Sequence, residues 1–314
     1  MLTVLRATGL VTIQDLGWVG HRSIGLPPGG AMDPDGLRVG NALIGNPDGA
    51  AGLELAQGEL VLRFDAAMSV AVMGGAVLRL DGAAAPTATH LAVPAGGRLE
   101  IASEAGRRFV VVAIQGGIEV PMLLGSRSTY LPTALGGQDG RRLTAGDQLR
   151  CGLRPATAPL PGTSVPLAPP DPGPIRVAPG PQAQVFTNEA YQRFGESSYR
   201  VAVNSDRMGT RLEGPAMTVT MMATLPSEAT CLGAIQVPDD GQPIVILRDG
   251  PTVGGYPKLG AVISADLTRF AQLAPGNSVR FAWVSTTQAG SLWRTAVAGL
   301  RASLAAVRAS ARPD

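Results

Sequence analysis

The chain has 314 residues, 45% of them hydrophobic and only 16% charged, with a formal net charge of +2. This is the composition of a chain that buries a large core rather than of a disordered segment, and it is long enough for one large domain or two medium ones. A near-balanced charge with scattered arginines argues against nucleic acid or an anionic membrane as the main partner.

Cys151 and Cys231 are the only cysteines. They lie far apart with no further Cys or His at metal-ligand spacing, so neither a disulfide framework nor a metal site is expected. His21 and His90 are the only histidines, leaving few candidates for a triad. The first residues, Met1-Leu2-Thr3-Val4, lack the basic start and apolar core of a signal peptide. No apolar run reaches the roughly 18–20 residues of a membrane helix. The expected location is the cytoplasm.

In chain order, Gln14-Asp15-Leu16-Gly17 is the first polar cluster. Next comes a rigid loop, Gly25-Leu26-Pro27-Pro28-Gly29-Gly30, which delivers Asp33 to a helix start. The spacing predicts a helix over 33–44, with Asp33 as N-cap, Pro34 at the first position and Leu37, Ala42 and Ile44 as apolar positions. Asp33 is thus a helix cap and also a candidate ligand-binding residue. The runs 60–64, 68–73 and 108–114 read as strands, punctuated by Gly and Pro as in barrels or sandwiches. Gly125-Ser126-Arg127-Ser128-Thr129-Tyr130 is a polar loop in which Arg127 beside hydroxyls suits a carboxylate or phosphate. The turn in Leu143-Thr144-Ala145-Gly146-Asp147-Gln148-Leu149-Arg150 recurs in Leu273-Ala274-Pro275-Gly276-Asn277-Ser278-Val279-Arg280, which points to two related β-units.

Between these units, residues 154–174 carry so much proline that a stiff, extended linker without regular structure is expected. The resulting division is a β subdomain over 1–153, the linker over 154–174, a second β subdomain over 175–285 and a C-terminal helix over 286–314.

In the second half, short helices are predicted over 188–194 and 265–272. In residues 204–215, Arg207 and Arg211 alternate with Asp206 and Glu213, as in a salt-bridged loop or an anion site. The richest cluster follows. Gln236 precedes a loop carrying Gln242, the strand 244–247 leads to Arg248-Asp249-Gly250-Pro251-Thr252, and the turn Gly254-Gly255-Tyr256-Pro257-Lys258 completes the set. Lys258 is the only lysine of the chain. A compact ammonium kept where every other cation is arginine points to a task a guanidinium cannot perform. Polar loops at both ends of one strand are how a β scaffold assembles a binding site. In the tail, Trp293, Val297, Leu300, Leu304 and Val307 share one helical face, expected to pack on the barrel. No phosphate-binding loop, His-Glu-x-x-His or nucleophile elbow is present.

These motifs in this order resemble the family known as allophanate hydrolase subunit 2, or carboxyltransferase subdomains A and B. The resemblance is carried by Gln14-Asp15-Leu16-Gly17, Gly29-Gly30-Ala31-Met32-Asp33, Asn41, Gly45-Asn46, Glu54 and residues 125–130. It continues through 205–209, 211–215, Gly233-Ala234-Ile235-Gln236-Val237-Pro238, Gly241-Gln242-Pro243 and residues 254–258. The family includes one component of bacterial ATP-dependent 5-oxoprolinase, the regulatory protein KipA and a segment of urea carboxylase.

The resemblance implies a mainly β fold of two barrel-like subdomains, the second cyclophilin-like, with a few short helices and the C-terminal helix. It implies a hydrolase component that needs two partners. One is a protein like the oxoprolinase B subunit (KipI-like, allophanate hydrolase subunit 1), the other a LamB/YcsF-like protein corresponding to the A subunit. Together these would convert 5-oxoproline to glutamate, with ATP shared between the components. The alternatives are a carboxyltransferase served by a separate biotin carrier, because the lone lysine is not in a biotin-attachment setting, or a KipA-like regulatory binder.

On the first reading Lys258, Asp249 and Tyr256 are the catalytic candidates. Gln236, Gln242, Arg127, Arg207, Asp33 and Thr252 would bind substrate, and no metal is expected. Trp18 stands where the family usually has Arg. Residues 248–253 also depart from the usual pattern, with Arg22 and Arg248 nearby as possible replacements for the lost arginines.

Overall fold

The computed structural model describes residues 1–166, 171–182, 185–219 and 225–313. Two compact units emerge, one comprising Met1–Trp18, Gly29–Ala168 and Gly299–Asp314, the other Val19–Pro28 and Pro169–Ala298.

In the first unit, short β-prone runs follow one another with one α-helix between the second and third strands. They are β1 (Leu2–Ala7), β2 (Leu10–Gln14), α1 (Pro34–Leu43), β3 (Gly52–Ala56), β4 (Glu59–Phe64), β5 (Met68–Met73) and β6 (Ala76–Leu80). Then come β7 (Ala83–Ala85), β8 (Leu91–Val93), β9 (Arg98–Ser103), β10 (Phe109–Ile114), β11 (Ile118–Glu119), β12 (Gln148–Cys151) and β13 (Thr157–Pro159). The strands form a seven-stranded sheet, β11-β12-β1-β4-β9-β6-β7, and a five-stranded sheet, β2-β3-β10-β5-β8. The strand-rich first half therefore consists of two open sheets that share a core. Edge strands β11 and β7 are only two and three residues long, too short to carry a ladder around to closure.

β10 shows how sequence drives this packing. Its six residues are all buried because the strand has two covered faces. Val110, Val112 and Ile114 enter the core between the sheets, while Val111 and Ala113 face a second cluster with Leu37 and Leu43 of α1. As the sequence predicts, α1 starts at Asp33, whose carboxylate accepts from Gly36 N at 2.8 Å, with Pro34 in its first turn.

The second unit contains β14 (Ile175–Pro179), α2 (Asn188–Glu196), β15 (Ser198–Val201), β16 (Gly209–Glu213), β17 (Glu228–Ala229) and β18 (Ala234–Gln236). It continues with β19 (Ile244–Ile246), β20 (Val253–Gly254), β21 (Lys258–Val262), α3 (Leu267–Ala271) and β22 (Ser278–Trp283). Seven strands close into a barrel in the order β14-β21-β18-β19-β16-β15-β22. Closure comes from a parallel pairing of β14 with β22. Among the described residues, β17 and β20 form a separate two-stranded sheet, a short strap outside the barrel ladder. The interior is aromatic. Phe194 on α2 stacks on Phe281 of β22 at 4.6 Å and lies 5.4 Å from Tyr199 of β15. Buried Asp266 ties the start of the unit down, accepting from Arg176 N at 2.7 Å, Arg176 Nε at 3.0 Å and Arg269 Nη2 at 3.0 Å.

Two expectations need correction. The proline-rich stretch is not without regular structure, since β13 pairs antiparallel with β23 (Ala311–Pro313). Thr163 O accepts from His90 N at 2.8 Å, and Gly162 N donates to His90 O at 2.9 Å. Proline removes donors but leaves every carbonyl available, which suffices for a short edge pairing. The tail helix, α4 (Thr286–Ala309), does not lay its whole apolar stripe on the barrel. Leu304 and Val307 are buried in the cluster with α1, Leu300 packs against that cluster, and Trp293 is 45% exposed.

Candidate functional site

Several polar residues converge at one end of the barrel, around Lys258. The sequence places this lysine in a turn. The structure makes it the first residue of β21 and buries it to 5% exposure. Its Cα partner on β18 is Gln236, and the register slips just beyond this pair. Such a bulge re-aims side chains at the end of a ladder. Residues opposite one another in an antiparallel pair project to the same face, so Lys258 and Gln236 share a side of the sheet.

Three further groups complete the cluster. Gln182 Oε1 accepts from the Lys258 backbone N at 2.7 Å. Glu228 of the strap accepts from Lys258 Nζ at 3.2 Å and also from Gln182 Nε2. The strap passes close over Gln236, because a Cβ built on Gly254 would stand 2.6 Å from Gln236 Nε2. A side chain at position 254 would push the Gln236 amide aside. Gln236 is 4% exposed, and its Nε2 has no hydrogen-bond partner among the described residues. Thr230 extends the strap, its N donating to Thr252 O at 3.0 Å, while Arg22 Nη2 reaches Thr230 O at 2.5 Å. The arrangement offers a compact cation and buried amide donors around a half-exposed carboxylate, which suits the oxygens of a small carboxylate, lactam or acyl group.

Other candidates of the second unit are held differently. Asp249 and Arg207, expected to serve a ligand separately, form a buried bidentate pair at 2.8 and 2.9 Å. Gln242 clamps the backbone of Gly214, accepting from its N at 3.0 Å and donating to its O at 3.1 Å. Thr252 is buried beside the strap, and Tyr256 is 47% exposed.

In the first unit, two motifs of the family, residues 14–17 and 125–130, are knitted together. The Asp15 carboxylate accepts from the hydroxyls of Ser126 and Ser128 at 2.6 Å each, from Arg127 N at 2.6 Å and from Gly17 N at 2.7 Å. The hydroxyls flanking Arg127 are thus engaged with Asp15, and Arg127 Nε donates to Val120 O at 3.0 Å. Trp18 is buried with its indole N–H on Leu123 O at 2.9 Å and its ring against Gly29. There it acts as a packing residue. Asp33 serves α1 as its cap.

Sequence reasoning missed Gln182, Glu228 and Thr230. None lies in a motif or next to one; the barrel pairing brings Gln182 to Lys258, and the strap brings Glu228 to it and carries Thr230. A cleft of about 670 Å³ elsewhere on the barrel is lined by Asp171, Ser198, Arg269, Arg280 and Trp283 among others, and holds none of the candidate residues. Among the described residues, no helix is long and apolar enough to cross a membrane, and no three His, Cys, Asp or Glu side chains gather as a metal-binding group.

The profile of the carboxyltransferase domain, subdomain A and B, matches residues 24–283. The chain belongs to this family. It is 35% identical over 291 residues to the 5-oxoprolinase C subunit of Escherichia coli (strain K12), covering 92% of this chain and 93% of that protein. It is likewise 35% identical over 301 residues to the 5-oxoprolinase C subunit of Haemophilus influenzae, covering 94% of each. The crystal structure of the Kluyveromyces lactis urea carboxylase superposes with a TM-score of 0.87 at 28% identity, over 96% of this chain and 29% of that one.

Proposed function

We propose that this chain is the C subunit of an ATP-dependent 5-oxoprolinase that opens the lactam ring of 5-oxo-L-proline to give L-glutamate. The observation that carries this reading is similarity over nearly the full length of two bacterial proteins bearing that name. The Lys258 cluster supplies the matching chemistry. The substrate is a small ring with a carboxylate and an amide carbonyl, and the cluster presents an ammonium and carboxamide donors to oxygens of that kind. Lys258 would hold the anionic group, and the amides would orient the ring. One ammonium suits one carboxylate or acyl phosphate better than a triphosphate, so ATP would be shared with a KipI-like partner in the role of the B subunit. A LamB/YcsF-like partner, in the role of the A subunit, would complete ring opening, and the assembly would act in the cytoplasm. Asp249–Arg207 and the Asp15 knot would support the loops rather than meet substrate.

The test is reconstitution. The chain with its KipI-like and LamB/YcsF-like partners should release glutamate from 5-oxoproline in an ATP-dependent manner. The chain alone should fall below ordinary enzyme rates of about 1 per second. Turnover by the isolated chain, or none by the complete assembly, would refute the proposal. A second reading, carboxyl transfer from a separate biotin carrier, draws on the superposition with urea carboxylase. It would be favoured if the assembly released no glutamate but discharged a carboxylated carrier.

A further inference from the structure

Glu228 and Lys258 have unequal stakes in their ion pair. The lysine side chain is 7% exposed and needs an anion, whereas Glu228 is 46% exposed and water can solvate it well. The carboxylate also leaves the pocket's donors incompletely used. It takes Lys258 Nζ and Gln182 Nε2, but the buried Gln236 Nε2 has no acceptor among the described residues. A buried donor without an acceptor is costly, and native proteins rarely tolerate one. Geometry places this donor beside the Glu228 side chain. Glu228 is the Cα partner of Gly254 in the strap, so its side chain projects to the same side as the Cβ that Gly254 lacks. That missing Cβ would point at Gln236 Nε2, 2.6 Å away. The absent side chain of Gly254 therefore lets Gln236 Nε2 lie against the strap on the side from which Glu228 projects.

We propose that Glu228 is a placeholder for a ligand carboxylate. A small carboxylate displaces it from Lys258 and binds on three donors, Nζ of Lys258, Nε2 of Gln182 and Nε2 of Gln236. Glu228 swings to solvent on its two-residue strand, and the ligand satisfies the donor that Glu228 leaves idle. No bond is made or broken, because this is an exchange of one carboxylate for another. The inference deepens the function proposed above and rests on it only for 5-oxoproline as the natural carboxylate.

The purified full-length chain can be titrated by calorimetry with three probes. They are cyclopentanecarboxylate (a carboxylate without a lactam), 2-pyrrolidinone (a lactam without a carboxylate) and 5-oxo-L-proline. Both carboxylates should bind, and 2-pyrrolidinone much more weakly. Glu228→Ala should tighten both carboxylates roughly two- to fivefold, the equivalent of an exposed ion pair no longer competing. Glu228→Gln, which keeps the volume, should shift them the same way and carries the test if the alanine variant is poorly folded. Gln236→Met should weaken both roughly tenfold, as loss of a hydrogen bond to a charged group does.

Unchanged or weaker carboxylate binding in the folded Glu228 variants would overturn the proposal by making Glu228 a fixed support for the lysine. Absence of carboxylate binding to the wild-type chain would overturn it too. If cyclopentanecarboxylate binds and responds to the variants while 5-oxoproline does not bind, the placeholder stands and the 5-oxoprolinase reading falls. If 5-oxoproline and 2-pyrrolidinone bind equally and the variants change nothing, the reverse holds.

Discussion

Replacing Lys258 with methionine separates the functional role of this residue from a structural one. Methionine has nearly the length of the lysine stem and no charge, so it fills the same space in β21 while removing the buried ammonium. The lysine side chain is 7% exposed and its partner Glu228 46%. Loss of the ammonium therefore strands only a carboxylate that water can solvate, and the cost of desolvating the ammonium disappears with it. The net change in unfolding free energy should stay within about 1 kcal/mol of zero. The Lys258 backbone N keeps its bond to Gln182, which does not depend on the side chain. A substrate oxygen that meets the ammonium would lose a charge-assisted contact worth on the order of 1.5–3 kcal/mol, or roughly ten- to a hundredfold in turnover. Urea unfolding of the isolated chain would measure the first quantity and ATP-dependent glutamate release by the reconstituted assembly the second. Lys258→Arg should also fail in turnover, since the larger planar head overfills a closed site at about 1–3 kcal/mol. A methionine variant with wild-type turnover would refute the argument. So would one that loses turnover only because it unfolds.

Two further outcomes are expected. Burial pushes the Asp266 carboxyl up, but hydrogen bonds from Arg176 and Arg269 outweigh it and hold the group below the usual carboxylate range. The stability it contributes is therefore present above the unfolded value, near 4, and is lost as pH falls through the lowered folded value. Asp266→Asn should cost about 3–5 kcal/mol near neutral pH, with the gap between wild type and variant narrowing below about pH 4 in urea titrations at stepped pH. A gap independent of pH would count against the ion-pair account. Gly254→Ala places a methyl group 2.6 Å from Gln236 Nε2. Because Nε2 is the movable end of the Gln236 side chain, the methyl group should displace the amide and lower carboxylate binding and assembly turnover at a stability cost of no more than about 1 kcal/mol, the low end for overpacking, and unchanged binding would show that the strap lifts freely off the amide.

Much of the architecture was legible from local pattern. The apolar run of β10 marked a strand, and Asp33-Pro34 marked the start of α1, because strand propensity and capping act between near neighbours. The β13–β23 pairing was not legible, because the composition of the proline-rich stretch says nothing of an acceptor edge supplied from the far end of the chain. Nor was the split use of α4, whose apolar stripe looks continuous while only its last turns meet a core.

For the site, the sequence by itself determined that Lys258 is the single lysine, that Gln236 and Gly254 precede it within a short span, and that the ordered motifs belong to the carboxyltransferase family. Tertiary structure decided which groups surround that lysine. Barrel closure brings Gln182 to its backbone and the strap brings Glu228 to its ammonium. The same closure commits Asp249 to Arg207, and the packing of the first unit commits the hydroxyls beside Arg127 to Asp15. A polar side chain advertises its chemistry in the sequence. Whether that chemistry is spent on a neighbour or left for a ligand depends on distances of about 3 Å between residues far apart in the chain, and only the closed fold sets those.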